Sequence, residues 1–274
     1  MSAALSTVAQ QAQLSCRALE VSIPGRTLVR NLDLTFERGG VTAILGRNGS
    51  GKTLSLHTLA GLRSAQAGEI RLNSLALDRC ARRDKARMIG ILTQTNEDAF
   101  PTTVLEAVLV GRHPHLGFWE WESDHDRTIA RAALAAVQLE GFEHRDVSTL
   151  SGGERRRVAL AALLAQAPGI YLLDEPTNHL DPHHQIEVLE LMRDKAASGL
   201  TVLMTLHDAT LAARFSDYVL LLFGNGEWLY GKTAEVLTPT SMAALYGLPV
   251  REVGWEGGRT FVMGVDAPGD RMTR

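Results

Sequence analysis

Short apolar runs punctuate the chain at Val41–Leu45, Ile89–Leu92, Ile170–Leu173, Thr201–Leu206 and Val219–Phe223. They are brief and rich in Val, Ile and Leu, the pattern of parallel strands covered on both faces. Between them apolar residues recur at helical spacing, as in Lys52–Leu62 (Leu54, Leu56, Leu59, Leu62) and Ile186–Lys195 (Ile186, Leu189, Met192). Strands alternating with helices predict an α/β fold on a mostly parallel sheet. Leu14–Phe36 reads differently, as short antiparallel strands around the turn Ile23-Pro24-Gly25-Arg26, and predicts an antiparallel β subdomain. From Asn96 to Gln166 the alternation is interrupted by an Ala-rich helical pattern at Thr128–Leu139 and a second helix at Glu154–Gln166, a helical subdomain inserted between two halves of the sheet. Met1–Gln13 and Asp266–Arg274 carry no apolar pattern. The expected organisation is a disordered segment over 1–13, a folded domain over 14–254 with its insertion at about 96–166, and a tail over 255–274.

Charge narrows the function classes. The 274 residues include 28 Lys and Arg against 31 Asp and Glu, a net charge of −3. Such a chain lacks the positive field that general nucleic-acid or anionic-membrane binding uses. The longest apolar runs, Val158–Ala165 and Tyr218–Phe223, fall far short of the roughly 18–20 residues that cross a bilayer. Met1–Ser15 lacks the basic and apolar regions of a secretory signal. The expectation is a protein that stays on the side of the membrane where it is made. Cys16 and Cys80 stand far apart with no metal-like spacing, so free thiols in a reducing cytoplasm are expected.

Candidate chemistry begins at Gly46-Arg47-Asn48-Gly49-Ser50-Gly51-Lys52-Thr53, which fits G-x-x-x-x-G-K-[ST] between a strand and a helix. The glycines let the backbone curl so that successive N–H groups face phosphate oxygens. The helix that follows aims its positive dipole end at the same place. Lys52 is placed to neutralise the β- and γ-phosphates, and Thr53 to offer its hydroxyl to Mg²⁺. Asp174 ends the strand Ile170–Leu173 as the expected outer-shell partner of the metal. Glu175, next to it, is the natural base to orient an attacking water. Paired acids here also fit a plainer role, opening the turn Pro176-Thr177-Asn178. Further along, Ser151 and Glu154 form an S-x-x-E capping box. Gly152 and Gly153 strip side chains from the same helix start and leave bare N–H groups able to receive an anion. Lying 99 positions after Lys52, this start is not expected to serve the same phosphate in the same chain.

Taken in order, these motifs resemble the nucleotide-binding subunits of ATP-binding cassette (ABC) transporters, over about residues 14–254. The matching pieces are the Walker A loop at Gly46–Thr53, the Q-loop Gln94, the signature Leu150–Glu154, the Walker B strand Ile170–Asp174 with Glu175, the D-loop Asn178-His179-Leu180-Asp181 and the switch His207. In detail the chain is similar to the ATPases of importers for iron–siderophores, haem and cobalamin. The phrases that carry this are Gly111-Arg112-His113-Pro114-His115-Leu116-Gly117, Thr177-Asn178-His179-Leu180-Asp181, Leu206-His207-Asp208 and Leu245-Tyr246-Gly247-Leu248-Pro249-Val250.

The resemblance implies a P-loop NTPase (RecA-like) core and ATP hydrolysis coupled to transport. It implies a head-to-tail dimer with a second copy, each ATP held by one chain's P-loop and the other's signature. Integral-membrane permease subunits would be partners, and a periplasmic or extracellular substrate-binding protein an indirect one, with no nucleic acid. The protein would sit peripherally on the cytoplasmic face of the inner membrane. Catalytic roles fall to Glu175, His207 and Gln94, the last as a hinge between nucleotide state and membrane partner. ATP contacts fall to Gly46, Arg47, Asn48, Gly49, Ser50, Gly51, Lys52, Thr53, Leu54 and Ile23, and across the dimer to Ser151, Gly152, Gly153, Glu154 and Asp181. Thr53, Gln94 and Asp174 would face Mg²⁺. Three positions depart from the pattern: Ile23 stands where an aromatic ring usually stacks on adenine, Leu54 where a Ser or Thr is usual, and Glu154 where Gln is commoner. Cobalamin is slightly preferred as cargo from general likeness. A nucleic-acid or ribosome-associated ATPase of the same superfamily is the rival reading, opposed by the single P-loop and the absence of heptads. A non-hydrolysing adaptor is opposed by Glu175 and His207.

Three further features stay open at this level. Arg79, Arg82, Arg83, Lys85 and Arg87, interspersed with Asp78 and Asp84, are expected on a solvated helix. Arg155-Arg156-Arg157 either attracts phosphate, contacts the facing chain, or forms a solvated first helical turn. Phe118, Trp119 and Trp121 either pack inside the insertion or form an exposed surface that meets a membrane subunit.

Overall fold

A computed structural model describes residues 12–94, 102–117, 119–256 and 258–264. Strands β1 (Leu14–Ile23) and β2 (Arg26–Thr35) form the expected hairpin, closing at Ile23 opposite Arg26. Strand β3 (Val41–Gly46) leads into helix α1 (Lys52–Leu59). Strands β4 (Ala67–Leu72) and β5 (Leu75–Ala76) precede helix α2 (Arg82–Met88) and strand β6 (Ile89–Leu92). The helical insertion holds α3 (Val104–Leu109), a 3₁₀ turn at Val110–His115, α4 (Asp124–Ala135) and α5 (Gly152–Gln166). Alternation then resumes with β7 (Ile170–Leu173), α6 (Pro182–Ala197), β8 (Thr201–Thr205), α7 (Ala209–Phe215) and β9 (Tyr218–Leu222). Strand β10 (Trp228–Lys232), α8 (Thr233–Val236), α9 (Pro239–Tyr246), β11 (Val250–Trp255) and β12 (Gly258–Met263) follow.

Among the described residues the strands form three sheets. The main one runs β10-β9-β3-β8-β7-β6, parallel throughout except for the edge strand β10. Its five parallel strands are the five apolar runs of the sequence. Burial on both faces explains why they read as continuous rather than alternating. Ala43, Leu45, Tyr171, Leu173, Val202 and Met204 enter a core shared with the helices of the insertion and with α6 and α7. Ile44, Ile170, Leu172 and Leu203 point the other way, into a second core closed by α1 and the antiparallel sheet β2-β1-β4-β5.

The chain boundaries differ from expectation. Residues 255–274 are not a tail throughout: β11 and β12 pair as a hairpin whose Val250 and Phe261 join the main core. The Thr210 and Thr260 hydroxyls meet at 2.7 Å, fastening it to α7. The folded domain therefore extends to Gly264. At the other end Ala12 is buried and the Gln13 N–H donates to Asn73 Oδ1 at 2.8 Å, so folded chain is already present at residue 12. Of the disordered segment expected over 1–13, residues 1–11 lie outside the described residues, as does the frayed end expected at 266–274.

One buried ion pair organises the insertion. Ser123 caps α4, its hydroxyl accepting from the Asp126 N–H while Asp126 accepts from the Ser123 N–H. The same carboxylate receives Arg112 Nε at 2.9 Å, and Arg112 Nη1 donates to the Ala165 carbonyl near the end of α5 at 2.8 Å. Burial pushes the Asp126 carboxyl up, but the Ser123 hydroxyl and the Arg112 guanidinium outweigh it and hold the group at about 2. A carboxyl depressed by folding stabilises fully above its unfolded value of about 3.9, and that stabilisation is lost as pH falls through the folded value. Arg112→Met leaves Asp126 buried without its cation and should cost about 3 kcal/mol at pH 7. Thermal melts of both proteins from pH 6 down to pH 2 check this. The gap between them should narrow between pH 4 and pH 2, whereas a pH-independent gap would remove charge pairing from the account.

Candidate functional site

At the carboxyl end of β3 the chain turns through Arg47–Gly51 into α1. A side chain on Gly46 would put its Cβ 2.2 Å from Ser50 Oγ and 2.6 Å from the Leu222 carbonyl, so the turn closes only around glycine. Gly49 and Gly51 take left-handed φ values of 76° and 102°. Lys52 folds back into the loop it terminates, donating to the Gly46 carbonyl at 2.8 Å and the Arg47 carbonyl at 3.4 Å. Its ammonium is buried. Desolvation lowers its pKa, and the nearby charges of Glu175 and Asp174 act against that fall.

Sheet register sets the acids beside this loop. Ile44 pairs with Thr205 and Leu173 with Met204, which places the end of β7 against Thr205. The Thr205 hydroxyl donates to Asp174 Oδ1 at 2.7 Å and accepts from the Glu175 N–H at 2.8 Å. Asp174 Oδ2 is buried and has no partner. Glu175 adopts a left-handed φ of 49°, a conformation that costs a non-glycine residue about 1–2 kcal/mol. That turn directs its carboxylate to three groups. Gln94 Nε2 donates to Oε2 at 2.9 Å, Asn178 Nδ2 donates to the same oxygen, and His207 Nε2 contacts Oε1 closely. Lys52, Gln94, His207 and the adjacent acids Asp174 and Glu175 thus meet at the carboxyl ends of the parallel strands, where α/β folds place ligand groups.

Ser151–Glu154 and Asp181 lie apart from this cluster. The capping box forms as expected: the Glu154 N–H donates to Ser151 Oγ at 3.2 Å and the Ser151 N–H to Glu154 Oε2 at 2.7 Å. A Cβ on Gly152 would meet nothing within 4 Å, so the helix start stands open. Ser151, Gly152, Gly153 and Glu154 line a shallow pocket with His179, Asp181 and His184, and no P-loop residue borders it. Asp181 caps α6 through the His184 N–H at 3.1 Å and meets His184 Nδ1 at 2.7 Å. Ile23 is 38% exposed. Its hairpin is anchored beside the P-loop: Arg26 donates to the Gly224 carbonyl at 2.8 Å, and a Cβ on Gly224 would lie 2.9 Å from Ser50 Cα. Leu54 packs against the second core.

Sequence reasoning missed two residues. Thr205 is a fully buried hydroxyl inside an apolar strand, a signal that was present. Arg156 is neither solvated nor turned to a phosphate. It is buried and donates to the carbonyls of Thr93, Asp174 and, at 2.8 Å, Glu175. The basic helix α2 is also more than solvated, since Arg83 and Arg87 donate to the Pro114 carbonyl at 2.9 and 2.8 Å and dock it on the insertion. Trp119 and Trp121 are each 88% exposed, which places them on the surface rather than inside the insertion. Phe118 lies outside the described residues.

Comparison with known proteins places this architecture. The ABC transporter family profile matches residues 29–178, more than half of the chain. The chain belongs to the ABC transporter family. It is 36% identical to the iron(3+)-hydroxamate import ATP-binding protein of Bacillus subtilis, covering 85% of this chain and 87% of that one. It is 39% identical to the hemin import ATP-binding protein of Burkholderia lata, covering 91% and 98%. A metal-chelate type ABC transporter solved in an inward-facing conformation superimposes with a TM-score of 0.80 at 28% identity, over 92% of this chain and 97% of that one. As an ABC transporter ATPase domain, the protein binds ATP and hydrolyses it to power transport. No helix among the described residues is long and apolar enough to cross a membrane.

Thr205→Val keeps the volume of β8 and deletes the hydroxyl that fastens Asp174 to the Glu175 backbone. Leaving that buried N–H and carboxylate oxygen unpaired should cost about 1–3 kcal/mol of stability. The ATPase kcat should fall at least about tenfold, since 1.4 kcal/mol of lost positioning corresponds to that factor. Steady-state ATPase kinetics beside a melting curve check both, and an unchanged kcat would reduce Thr205 to a packing residue.

Proposed function

We propose that this protein is the ATP-hydrolysing subunit of an importer of iron chelates, iron–siderophore or haem. The observation that carries the hydrolytic part is the convergence of Gln94, Asn178 and His207 on Glu175, beside Asp174 and Lys52. The triphosphate would lie along Gly46–Thr53, where Lys52 exchanges its two loop carbonyls for phosphate oxygens. Ile23, exposed beside the loop, would offer adenine an aliphatic face.

Oxygen donors at the site fit Mg²⁺. Asp174 Oδ2 is a buried carboxylate oxygen without a partner. Among the described residues no cluster of three or more His, Cys, Asp or Glu side chains makes an all-protein cage. That is the donor set of an ion held by one carboxylate, hydroxyl and amide groups, water and phosphates. Thr53, Gln94 and Asp174 would hold it. When bound, Mg²⁺ neutralises charge on the β- and γ-phosphates. Glu175 orients the attacking water and accepts its proton, and His207 braces Glu175 and faces the γ-phosphate.

No P-loop residue lines the pocket at the open start of α5, so the phosphate it suits comes from a second copy. This supports a head-to-tail dimer with Ser151, Gly152, Gly153, Glu154 and Asp181 on the facing nucleotide. A bacterial ABC transporter cassette solved as a dimer, 25% identical with a TM-score of 0.71, lends the same support. Exposed Trp119 and Trp121 mark a face for the permease subunits. With such partners the chain sits peripherally on the cytoplasmic face of the inner membrane, and a substrate-binding protein acts on the far side. The named relatives import an iron(3+) hydroxamate or hemin. They favour iron chelates and add nothing to the slight preference for cobalamin.

Glu175→Gln should abolish turnover yet bind ATP and accumulate as a dimer on gel filtration. Hydrolysis above a tenth of the wild-type rate would overturn the assignment of Glu175. For the cargo, cells carrying Lys52→Ala should lose uptake of ferric hydroxamate or hemin under iron limitation and retain cobalamin uptake. The opposite outcome would move the cargo to cobalamin.

A further inference from the structure

Arg156 opens the second turn of α5, two residues past Glu154, and is buried against the end of the main sheet. Its guanidinium is a planar fork. Nη1 donates to the Thr93 carbonyl, on the residue directly before Gln94. Nη2 donates to the carbonyls of both Asp174 and Glu175. One side chain therefore pins the backbone beneath Gln94 and beneath Glu175, whose own side chains meet at 2.9 Å in front of it.

The backbone held this way is strained. Glu175 is a left-handed non-glycine residue, and such a conformation persists only where its surroundings over-determine it. Thr205 Oγ1 secures its N–H, and Arg156, at 2.8 Å, joins the Asn178 N–H, at 3.2 Å, in securing its C=O. Arg156 Nε is buried without a partner, so the fork is held by its Nη atoms alone. A charged group placed behind the acids at this desolvation penalty does more than fill space. Burial lowers its pKa, and Asp174 and Glu175 act against that fall.

We infer that Arg156 is a positioning residue for ATP hydrolysis, which holds Glu175 and Gln94 as one unit and ties that unit to the helix that begins at the signature. It touches neither nucleotide nor water. Through it, a displacement of the start of α5 moves the carbonyls under Glu175 and Gln94 in the same chain. The signature that meets one nucleotide is in this way linked to the pair that works on the other. The inference rests on the proposed roles of Glu175 and Gln94.

The test uses the full chain and the variants Arg156→Met and Arg156→Lys. ATP affinity is measured with a fluorescent ATP analogue, hydrolysis by steady-state kinetics and folding by melting temperature. Arg156→Met should lower kcat at least about tenfold while nucleotide affinity changes less than about threefold. Arg156→Lys, a point donor in place of a fork, should restore part of the melting temperature but leave kcat at least about threefold low. Combining Arg156→Met with Gln94→Ala should be little worse than either alone, because residues that act as one unit lose non-additively. Full additivity, or a wild-type kcat in Arg156→Lys, would overturn the inference and leave Arg156 a structural residue. If Arg156→Met does not fold, the lysine variant decides by itself. Glu175→Gln is the control: active, it sinks the site reading; inactive beside a fully active Arg156→Lys, it sinks the coupling alone.

Discussion

Parallel pairing of β3, β8, β7 and β6 puts Gly46, Thr205, Asp174 and Thr93 side by side at the carboxyl ends of their strands, and each element of the site hangs from those ends. A slip of one residue in β7 would turn Asp174 toward the core and an apolar side chain toward the loop, because strand side chains alternate. Both faces of β7 are apolar, with Tyr171 and Leu173 in one core and Ile170 and Leu172 in the other, so these residues alone would tolerate the exchange. What opposes the slip is Asp174, whose carboxylate would enter an apolar core without the Thr205 hydroxyl that it now accepts from.

The charges gathered there are balanced in a particular order. Asp174 and Glu175 lie between two buried cations, Lys52 in front and Arg156 behind. Buried charges are tolerated when each has partners, and removing one strands the others. Lys52 spends its hydrogen bonds on loop carbonyls, contacts that an entering phosphate can replace. Arg156 commits its own to the strand-end carbonyls of Thr93, Asp174 and Glu175. The front cation is thus free to change partners, and the rear one is tied to the backbone.

Much of this was legible in the sequence, for identifiable reasons. The five parallel strands announce themselves because double burial demands unbroken apolar runs. The P-loop, the two acids and the capping box follow from spacing, because their chemistry is local. Strands β4, β5, β10, β11 and β12 escaped because they lie at edges or in small sheets with half-exposed faces, where composition is mixed. Strand β12, with the end of β11, falls in the stretch expected as tail, since its single well-buried ring, Phe261, gives no period. Arg156 was invisible among three consecutive arginines, for its role depends on which carbonyls the fold brings near. One clue existed: it lies one turn before buried Leu160, on a helix wrapped by protein on most sides.

The left-handed turn at Glu175 explains why so many groups crowd around one carboxylate. A residue held in an unfavourable backbone conformation returns to a relaxed one unless its N–H, its C=O and its side chain are all engaged. Here Thr205 takes the first, Arg156 and the Asn178 N–H the second, and the side chains of Gln94, Asn178 and His207 the third. These five come from β8, from the helix that begins at the signature, from the end of β6, from the turn after β7 and from the end of β8. Any motion of the helical insertion relative to the sheet must therefore alter at least one restraint on Glu175. A carboxylate whose pose depends on the insertion is a carboxylate whose chemistry can be gated by whatever the insertion touches. With Trp119 and Trp121 exposed on that same insertion, the face proposed for a membrane subunit and the group proposed to orient water belong to one connected frame.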